Sequence, residues 1–146
     1  MAVLLMPSDG FNAYQIEQLS KQFAKVAHEN PKRAKKFLNQ QGTKLKTATK
    51  RVARRKVKKR TGGYLDSIKR GKYYTYGGKE THSIRVYSGA KHAHLIENGH
   101  VIVSHGVEVG FREGKHVFAD AKREFEPKFV DAIEDFLDEV ATEVEK

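Results

Sequence analysis

Residues 31–60 read PKRAKKFLNQQGTKLKTATKRVARRKVKKR, and a single narrow apolar stripe runs through them. Its members recur at intervals of four, three, four, three and four residues: Ala34, Leu38, Gln41, Leu45, Ala48 and Val52. Such intervals place side chains on one face of an α-helix. Pro31 suits the first helical turn, where its missing N–H has no partner to lose. We therefore predict a helix from about residue 31 to residue 60 that buries one face.

The other faces of this helix are basic or polar. Lys44 to Arg60 contains ten Lys or Arg among seventeen residues and no acid. The stripe, continued beyond Val52, reaches Arg55 and Lys59, so the last turns are expected to leave the core. The candidate basic face consists of Lys50, Arg51, Arg54, Arg55, Lys56, Lys58, Lys59 and Arg60. Ten cations on about 25 Å of helix suit salt-dependent, sequence-independent contact with phosphates, but a solvated face or an acidic protein partner fits equally.

The flanking sequence predicts two further helices. Residues 9–28 carry an apolar face, with Asp9 or Ser8 as the cap, and Asn30-Pro31 ends the helix because residues before proline avoid the helical region. A last helix is predicted over Phe118–Glu145, where apolar residues recur at helical spacing.

Between these helices the sequence predicts short strands. Thr61-Gly62-Gly63 ends the basic helix, since glycine readily takes a left-handed conformation. A β-hairpin is predicted from Lys72–Tyr76 and Thr81–Ser88 around Gly77-Gly78. A short helix at Ala90–Asn98 and strands at Val101–Val103 and Val107–Phe111 follow. The chain is thus predicted to be one α+β domain over residues 1–146, in which a small antiparallel sheet packs against long N-terminal and C-terminal helices.

The charge of the chain is segregated by sign. Residues 1–60 hold 16 basic and 3 acidic side chains, a net charge of +13, whereas residues 117–146 hold 4 basic and 10 acidic, a net charge of −6. The candidate acidic face of the last helix consists of Asp131, Glu134, Asp135, Asp138 and Glu139. This asymmetry fits a polyanion partner at one end, head-to-tail contact between copies of the chain, or simply solvated helix faces of different sign.

Several classes of site are not expected. The chain has no cysteine, which excludes disulfides and thiolate metal sites. Six of the seven histidines fall between residues 82 and 116, but they have none of the usual zinc spacings. The acids of this region are scattered, with no paired spacing for Mg²⁺. No apolar run spans a membrane, and the first residues do not form a secretory signal. We therefore expect no metal, no cofactor, no catalytic residue and no membrane contact.

Three short motifs follow one another in the second half of the chain. They are Thr61-Gly62-Gly63-Tyr64-Leu65-Asp66-Ser67-Ile68, then Ala93-His94-Leu95-Ile96-Glu97-Asn98-Gly99-His100, then His116-Val117-Phe118 leading into the last helix. In this order they resemble the head-to-tail joining, neck and tail-completion (minor tail component) proteins of tailed bacteriophages. The motif residues expected to keep the fold are Thr61, Gly62, Gly63, Leu65, Ser67, Ile68, Glu97 and Gly99.

The resemblance implies a non-enzymatic virion protein of the neck or tail, assembled in the cytoplasm of the host bacterium. It implies a ring of copies of the chain between portal or head-closure proteins and tail tube or tail terminator proteins, with double-stranded DNA in the lumen. From the residues themselves, Gly62 or Gly63 is expected to take a positive φ and Glu97 to cap or pair locally. The alternative function is a free-standing, sequence-independent nucleic-acid-binding protein.

Overall fold

The helices lie close to where the apolar spacing predicts them. The computed structural model describes residues 13–58, 62–76 and 81–144. In chain order its helices are α1 (Ala13–Glu29), α2 (Pro31–Lys56), α3 (Gly63–Ser67), α4 (Ala93–Asn98) and α5 (Val117–Val144). Its strands are β1 (Ile68–Arg70), β2 (Tyr74–Tyr76), β3 (Thr81–Ser83), β4 (Val86–Ser88), β5 (Gly99–Ser104) and β6 (Val107–Glu113). The fold class is α+β, as predicted, while the cap predicted at Asp9 or Ser8 lies outside the described residues.

α2 begins as its sequence predicts but ends earlier. Asn30 caps it by accepting a hydrogen bond from the Arg33 N–H at 3.4 Å. Five of the six stripe residues are buried and Ala48 is half-buried. The helix ends at Lys56, not near residue 60, because Val57 is extended (φ −112°, ψ 128°). This conformation lets Val57 pack against an apolar cluster, and it shortens a helix in which like charges repel.

The strands form three separate antiparallel pairs and not one small sheet. β1 pairs with β4, β2 with β3, and β5 with β6. The predicted hairpin is present as β2–β3, with Tyr74 opposite Ser83. The segment predicted as one strand over Thr81–Ser88 is divided in two because Ile84 is fully buried against the main core. After this turn β4 leaves β3 and pairs with β1, Ile68 lying opposite Ser88.

The main apolar core lies where α1, α2 and α5 pack together. Its centre is aromatic: the Phe37 and Phe136 rings stack at 4.5 Å between centroids, and Phe23 lies 5.8 Å from both. Burying one such side chain contributes about 1.5–3 kcal/mol. A second cluster joins the end of α2 to the start of α5 and to β1, through Val52, Ala53, Ile68, Val117 and Ala121.

The β5–β6 hairpin joins α4 to α5. Its two-residue turn is His105-Gly106, with φ of 51° and 79°, and positive φ at both turn positions matches the right-handed twist of the strands. The predicted boundaries of α4, β5, β6 and α5 differ from the observed ones by at most three residues. No helix in the described parts of the chain is both long and apolar enough to cross a membrane.

Candidate functional site

Some cations of the predicted basic face form ion pairs with α5, and others have no acidic partner among the described residues. Arg51, Arg54 and Lys58 are exposed, and none of them has an acidic partner among the described residues. Lys50 is half-buried. Arg55 and Lys56 are engaged with α5, as described next, whereas Lys59 and Arg60 lie outside the described residues.

Two cations attach the end of α2 to the start of α5. Lys56 forms an ion pair with Asp120, and its ammonium donates to the Lys115 carbonyl at 2.9 Å. Arg55 donates to Glu124 Oε1 at 2.8 Å. Both partners of this second pair are about half exposed, so it contributes only about 0–1 kcal/mol. These contacts neutralise part of the predicted basic face within the chain.

The opposite ends of the two helices are joined in the same way. Arg33 near the start of α2 donates to both carboxylate oxygens of Glu143, the Nη2–Oε1 distance being 2.9 Å, and lies 3.4 Å from Glu139. The hydrogen bond to Glu143 raises the pKa of Arg33 above its ordinary value. α2 and α5 are therefore antiparallel neighbours whose opposite charges meet at both ends.

At least one residue of the predicted acidic face has a partner within its own chain. Glu139 pairs with Arg33 of its own chain. Asp131, Asp135 and Asp138 are exposed, and Glu134 is half-buried. Asp135 also lines a groove between α2 and α5 to which Lys36 and Lys44 contribute.

A basic groove that the sequence analysis did not single out runs along the first half of α2. We call it the α2 groove, and its five cations are Lys32, Lys35, Lys36, Lys44 and Arg70. The helical spacing of the lysines is present in the sequence, but Lys32, Lys35 and Lys36 precede the densest basic run and Lys44 is its first residue. Arg70 comes from β1, so only the packing of β1 on α2 brings it to this place.

The first motif forms the junction of α3 with β1. Gly62 takes the positive φ (77°) expected at this turn, while Thr61 lies outside the described residues and Gly63 begins α3. The Ser67 hydroxyl donates to the Tyr64 carbonyl at 2.5 Å and lies 2.6 Å from the Ser88 hydroxyl. Ile68 is buried and Leu65 packs beside it in the second cluster. This motif thus connects α3 to the β1–β4 pair.

The second motif positions the start of α5. Glu97 accepts hydrogen bonds from the N–H groups of Phe118 at 2.8 Å and Ala119 at 3.1 Å, so it caps a helix twenty residues further along the chain. Gly99 ends α4 with φ of +87°, and a Cβ there would lie 2.5 Å from the Arg112 carbonyl oxygen. Only glycine fits without a shift of backbone.

The β5–β6 hairpin, residues 99–113, is called the arm from here on. Every residue from Val101 to Glu113 is exposed, including six large apolar ones: Val101, Ile102, Val103, Val107, Val109 and Phe111. Outside the arm, Tyr74 and Tyr87 are the other large hydrophobic residues exposed in the described chain. The sequence predicted the strands but not their exposure, because alternation does not tell which face is covered.

Burial shifts the pKa of side chains inside the fold, among them His82 and Tyr64. His82 is buried between Phe23 and Tyr73, and burial lowers its pKa. The Tyr73 hydroxyl hydrogen-bonds to His82 Nδ1. Burial, assisted by the Glu97 carboxylate, raises the pKa of Tyr64 to about 12. In residues 13–58, 62–76 and 81–144, no three His, Asp or Glu side chains converge on a metal-sized site.

Comparison with known proteins identifies the family. The family model described as bacteriophage HK97-gp10, a tail component, matches residues 17–99, which is more than half of the chain and covers α1 to the end of α4. No curated protein and no solved structure matches the chain. The matched residues include the first motif and most of the second, which the sequence analysis had related to phage tail-completion proteins. This chain therefore belongs to the HK97-gp10-like family of bacteriophage tail components.

Proposed function

We propose that this chain is a non-enzymatic structural subunit of the virion, which joins copies of itself into a ring that connects the phage head to the tail. The ring would lie between portal or head-closure proteins and tail tube or tail terminator proteins, with double-stranded DNA in its lumen. Assembly would take place in the cytoplasm of the host bacterium. The family supports a structural role, and the observation that carries the proposed assembly is the exposed apolar arm.

One face of the arm carries three exposed apolar side chains. Val101 lies opposite Phe111, and Val103 follows two residues after Val101 on β5, so these three side chains share a face. The register shifts between Ile102 and Val103, so Val107, which lies opposite Ser104, is not on this face. The three side chains are exposed to 44% (Val101), 61% (Val103) and 60% (Phe111). A contiguous apolar surface of this kind marks a contact site more often than a solvated surface.

The backbone of the arm also favours a partner. β5 and β6 form a sheet of only two strands in the described chain, and such a ribbon is marginally stable in water. Each strand therefore leaves one edge of N–H and C=O groups that a further strand is able to pair. The apolar face supports contact with a second copy of the chain. In a heterologous contact each copy touches one neighbour with its arm and is touched by the arm of its other neighbour, and such contacts generate a closed ring.

The small apolar area of the arm is consistent with subunits that stay monomeric until they meet the neighbouring virion proteins. The six exposed apolar side chains of the arm present less area than the roughly 800 Å² that each partner buries in a stable complex. One arm contact would leave free subunits monomeric, whereas ring closure gives every subunit two such contacts together with those to neighbouring virion proteins.

Replacement of two apolar residues of the arm tests this proposal. Val109→Ser with Phe111→Ser should leave the melting temperature of the isolated chain nearly unchanged, because both side chains are exposed. In a phage that lacks this gene, the variant supplied in trans should lower the yield of joined, DNA-filled particles at least tenfold, counted by electron microscopy and plaque assay.

Glu108→Gln is the matched control, since Glu108 is an exposed polar residue of the same strand. It should join particles as the unmodified chain does. Normal joining by the double serine variant would contradict the proposed role of the arm, and an equal defect in the control would point to the arm backbone and not its apolar face.

The alternative function is a free-standing, sequence-independent nucleic-acid-binding protein, and the α2 groove is the feature that favours it. Particle joining separates the two functions. A phage without this gene should produce unjoined heads and tails if the chain is a connector, but joined particles if it only binds nucleic acid.

A further inference from the structure

The α2 groove holds uncompensated positive charge over a long path. Lys32 and Lys44 are twelve residues apart on one helix, which corresponds to about 18 Å. The groove has a volume of about 760 Å³, and none of the described residues that line it is acidic. It lies open along the helix and is therefore suited to a segment of a polymer.

The lysines of the groove are not used in ion pairs within the described chain. Arg33, Arg55 and Lys56 each form ion pairs with α5. Within the described residues, none of the four groove lysines forms a salt bridge, and neither do Arg51 and Arg54. Asp135 and Glu139 of α5 line an adjoining groove, to which Lys32, Lys36 and Lys44 also contribute. Like charges at helical spacing repel one another, so a bound anion would relieve this repulsion.

Arg70 lies in the groove because its side chain packs closely against the backbone of α2 at Gly42. A Cβ on Gly42 would lie 3.1 Å from Arg70 Cγ and Cδ and 2.8 Å from Ile84 Cδ1. Glycine at position 42 thus leaves the space in which the stem of Arg70 crosses α2. Arg70 Nη1 donates to the Asn39 carbonyl at 3.1 Å. The guanidinium has five N–H donors, so the remaining ones are available to a ligand.

We propose that the α2 groove binds the sugar-phosphate backbone of double-stranded DNA. This rests on the proposed function, in which DNA passes through the ring, and it assigns the contact to the first half of α2 and Arg70. The lining combines lysine and arginine with Asn39, Gln40 and Thr43, which are the residue types that contact phosphates.

The composition of the groove also disfavours single-stranded nucleic acid. None of the described residues that line the groove is aromatic, so the bases of a single strand have no ring on which to stack. Binding should therefore be insensitive to sequence and no stronger for single-stranded DNA than for the duplex.

Two sets of charge reversals on the same helix test the assignment. Lys32→Glu, Lys35→Glu and Lys36→Glu change the groove. Arg51→Glu, Arg54→Glu and Lys58→Glu change the net charge equally at the other end of α2 and two residues beyond it. All six residues are exposed. Affinity for a short DNA duplex of random sequence is measured by fluorescence anisotropy over a range of salt, using the full chain and confirming the fold of each variant by circular dichroism.

The groove set should weaken binding at least tenfold and lower the salt slope by about three, because each lysine that meets a phosphate contributes about one to this slope. The control set should change both quantities much less. Equal reductions in the two sets would show a response to net charge alone, and a larger reduction in the control set would place the DNA at the other end of α2. Either result overturns the proposal.

Two additional measurements complete the test. The neutral set Lys32→Gln, Lys35→Gln and Lys36→Gln should also weaken binding, and unchanged binding by it would overturn the proposal even if the glutamate set failed to fold. Polyglutamate that competes as well as the duplex would overturn the assignment to DNA. The variants of the arm should bind DNA as the unmodified chain does. If these variants also joined particles normally, the proposed ring would be contradicted, while the proposed binding of DNA by the α2 groove would stand.

Discussion

At the scale of single residues, burial determines the pKa shift of His82. His82 is enclosed by two aromatic rings, and its Nδ1 is hydrogen-bonded to Tyr73. Because the folded state lowers the pKa of His82, the unfolded chain takes up this proton first as the pH falls. The neutral imidazole therefore stabilises the fold above the ordinary histidine pKa of about 6.5, and this contribution is lost as the pH falls below that value.

We expect the free energy of unfolding, measured in urea, to decrease from neutral pH toward about pH 5.5. His82→Gln should reduce this pH dependence, because the replacement does not titrate. His105→Gln, at the exposed turn of the arm, should keep the full dependence. The same pH slope in all three proteins would mean that the burial of His82 is not its cause.

At the scale of secondary structure elements, the second motif connects elements that are distant in the chain. Glu97 lies in α4, yet its carboxylate satisfies two N–H groups at the start of α5. A carboxylate at this position also interacts favourably with the positive end of the helix dipole. α4 is short and has no buried residue, so this contact is a large part of what orients it and the arm that follows.

Glu97→Ala should lower the free energy of unfolding by about 1–2 kcal/mol, the usual effect of removing a helix cap. Glu97→Gln should lower it less, because the amide oxygen is still able to accept one of the two hydrogen bonds. Glu108→Ala, on the exposed arm, should have an effect within about 0.5 kcal/mol. Chemical denaturation measures all three, and equal stability of Glu97→Ala and the unmodified chain would exclude the capping role.

The elements also show where local patterns are insufficient. The stripe of α2 predicted its buried face, but the end of the helix depended on the packing of Val57 against the second cluster. The alternation of Thr81–Ser88 predicted one strand, but burial of Ile84 divided it. In both cases a contact with a distant residue outweighed a local preference.

At the scale of the whole molecule, the segregated charge acts first within the chain. Arg33, Arg55 and Lys56 of α2 meet acids of α5, and the charges left for other molecules are exposed ones such as Asp135 and Asp138 on α5 and Arg51 and Arg54 on α2. Each exposed pair between subunits would contribute only about 0–1 kcal/mol. Such pairs would therefore guide the approach of subunits, while apolar contacts supply most of the closing energy.

If neighbouring subunits pair these faces, Asp135→Lys with Asp138→Lys should slow ring assembly, and high salt should slow assembly of the unmodified chain. Arg51→Glu with Arg54→Glu should then partly restore the aspartate variant, because the opposite charges are exchanged. Assembly is followed by light scattering with the neighbouring virion proteins present. Failure of the second pair to restore assembly would contradict pairing of α5 with the basic end of α2.

Periodicity, turn residues and short motifs were sufficient to predict the long helices, the β2–β3 hairpin, the two strands of the arm, the α+β class and the relation to phage tail components. These features depend on residues close together in the chain, where helical spacing and glycine turns constrain the backbone directly. Three other features depend on residues far apart: the pairing of Lys56 with Asp120, the placement of Arg70 over Gly42, and the absence of a cover over the arm within the described chain. Local spacing does not specify which distant surfaces meet, so the division of α2 into a paired end and an open basic groove emerged only from packing.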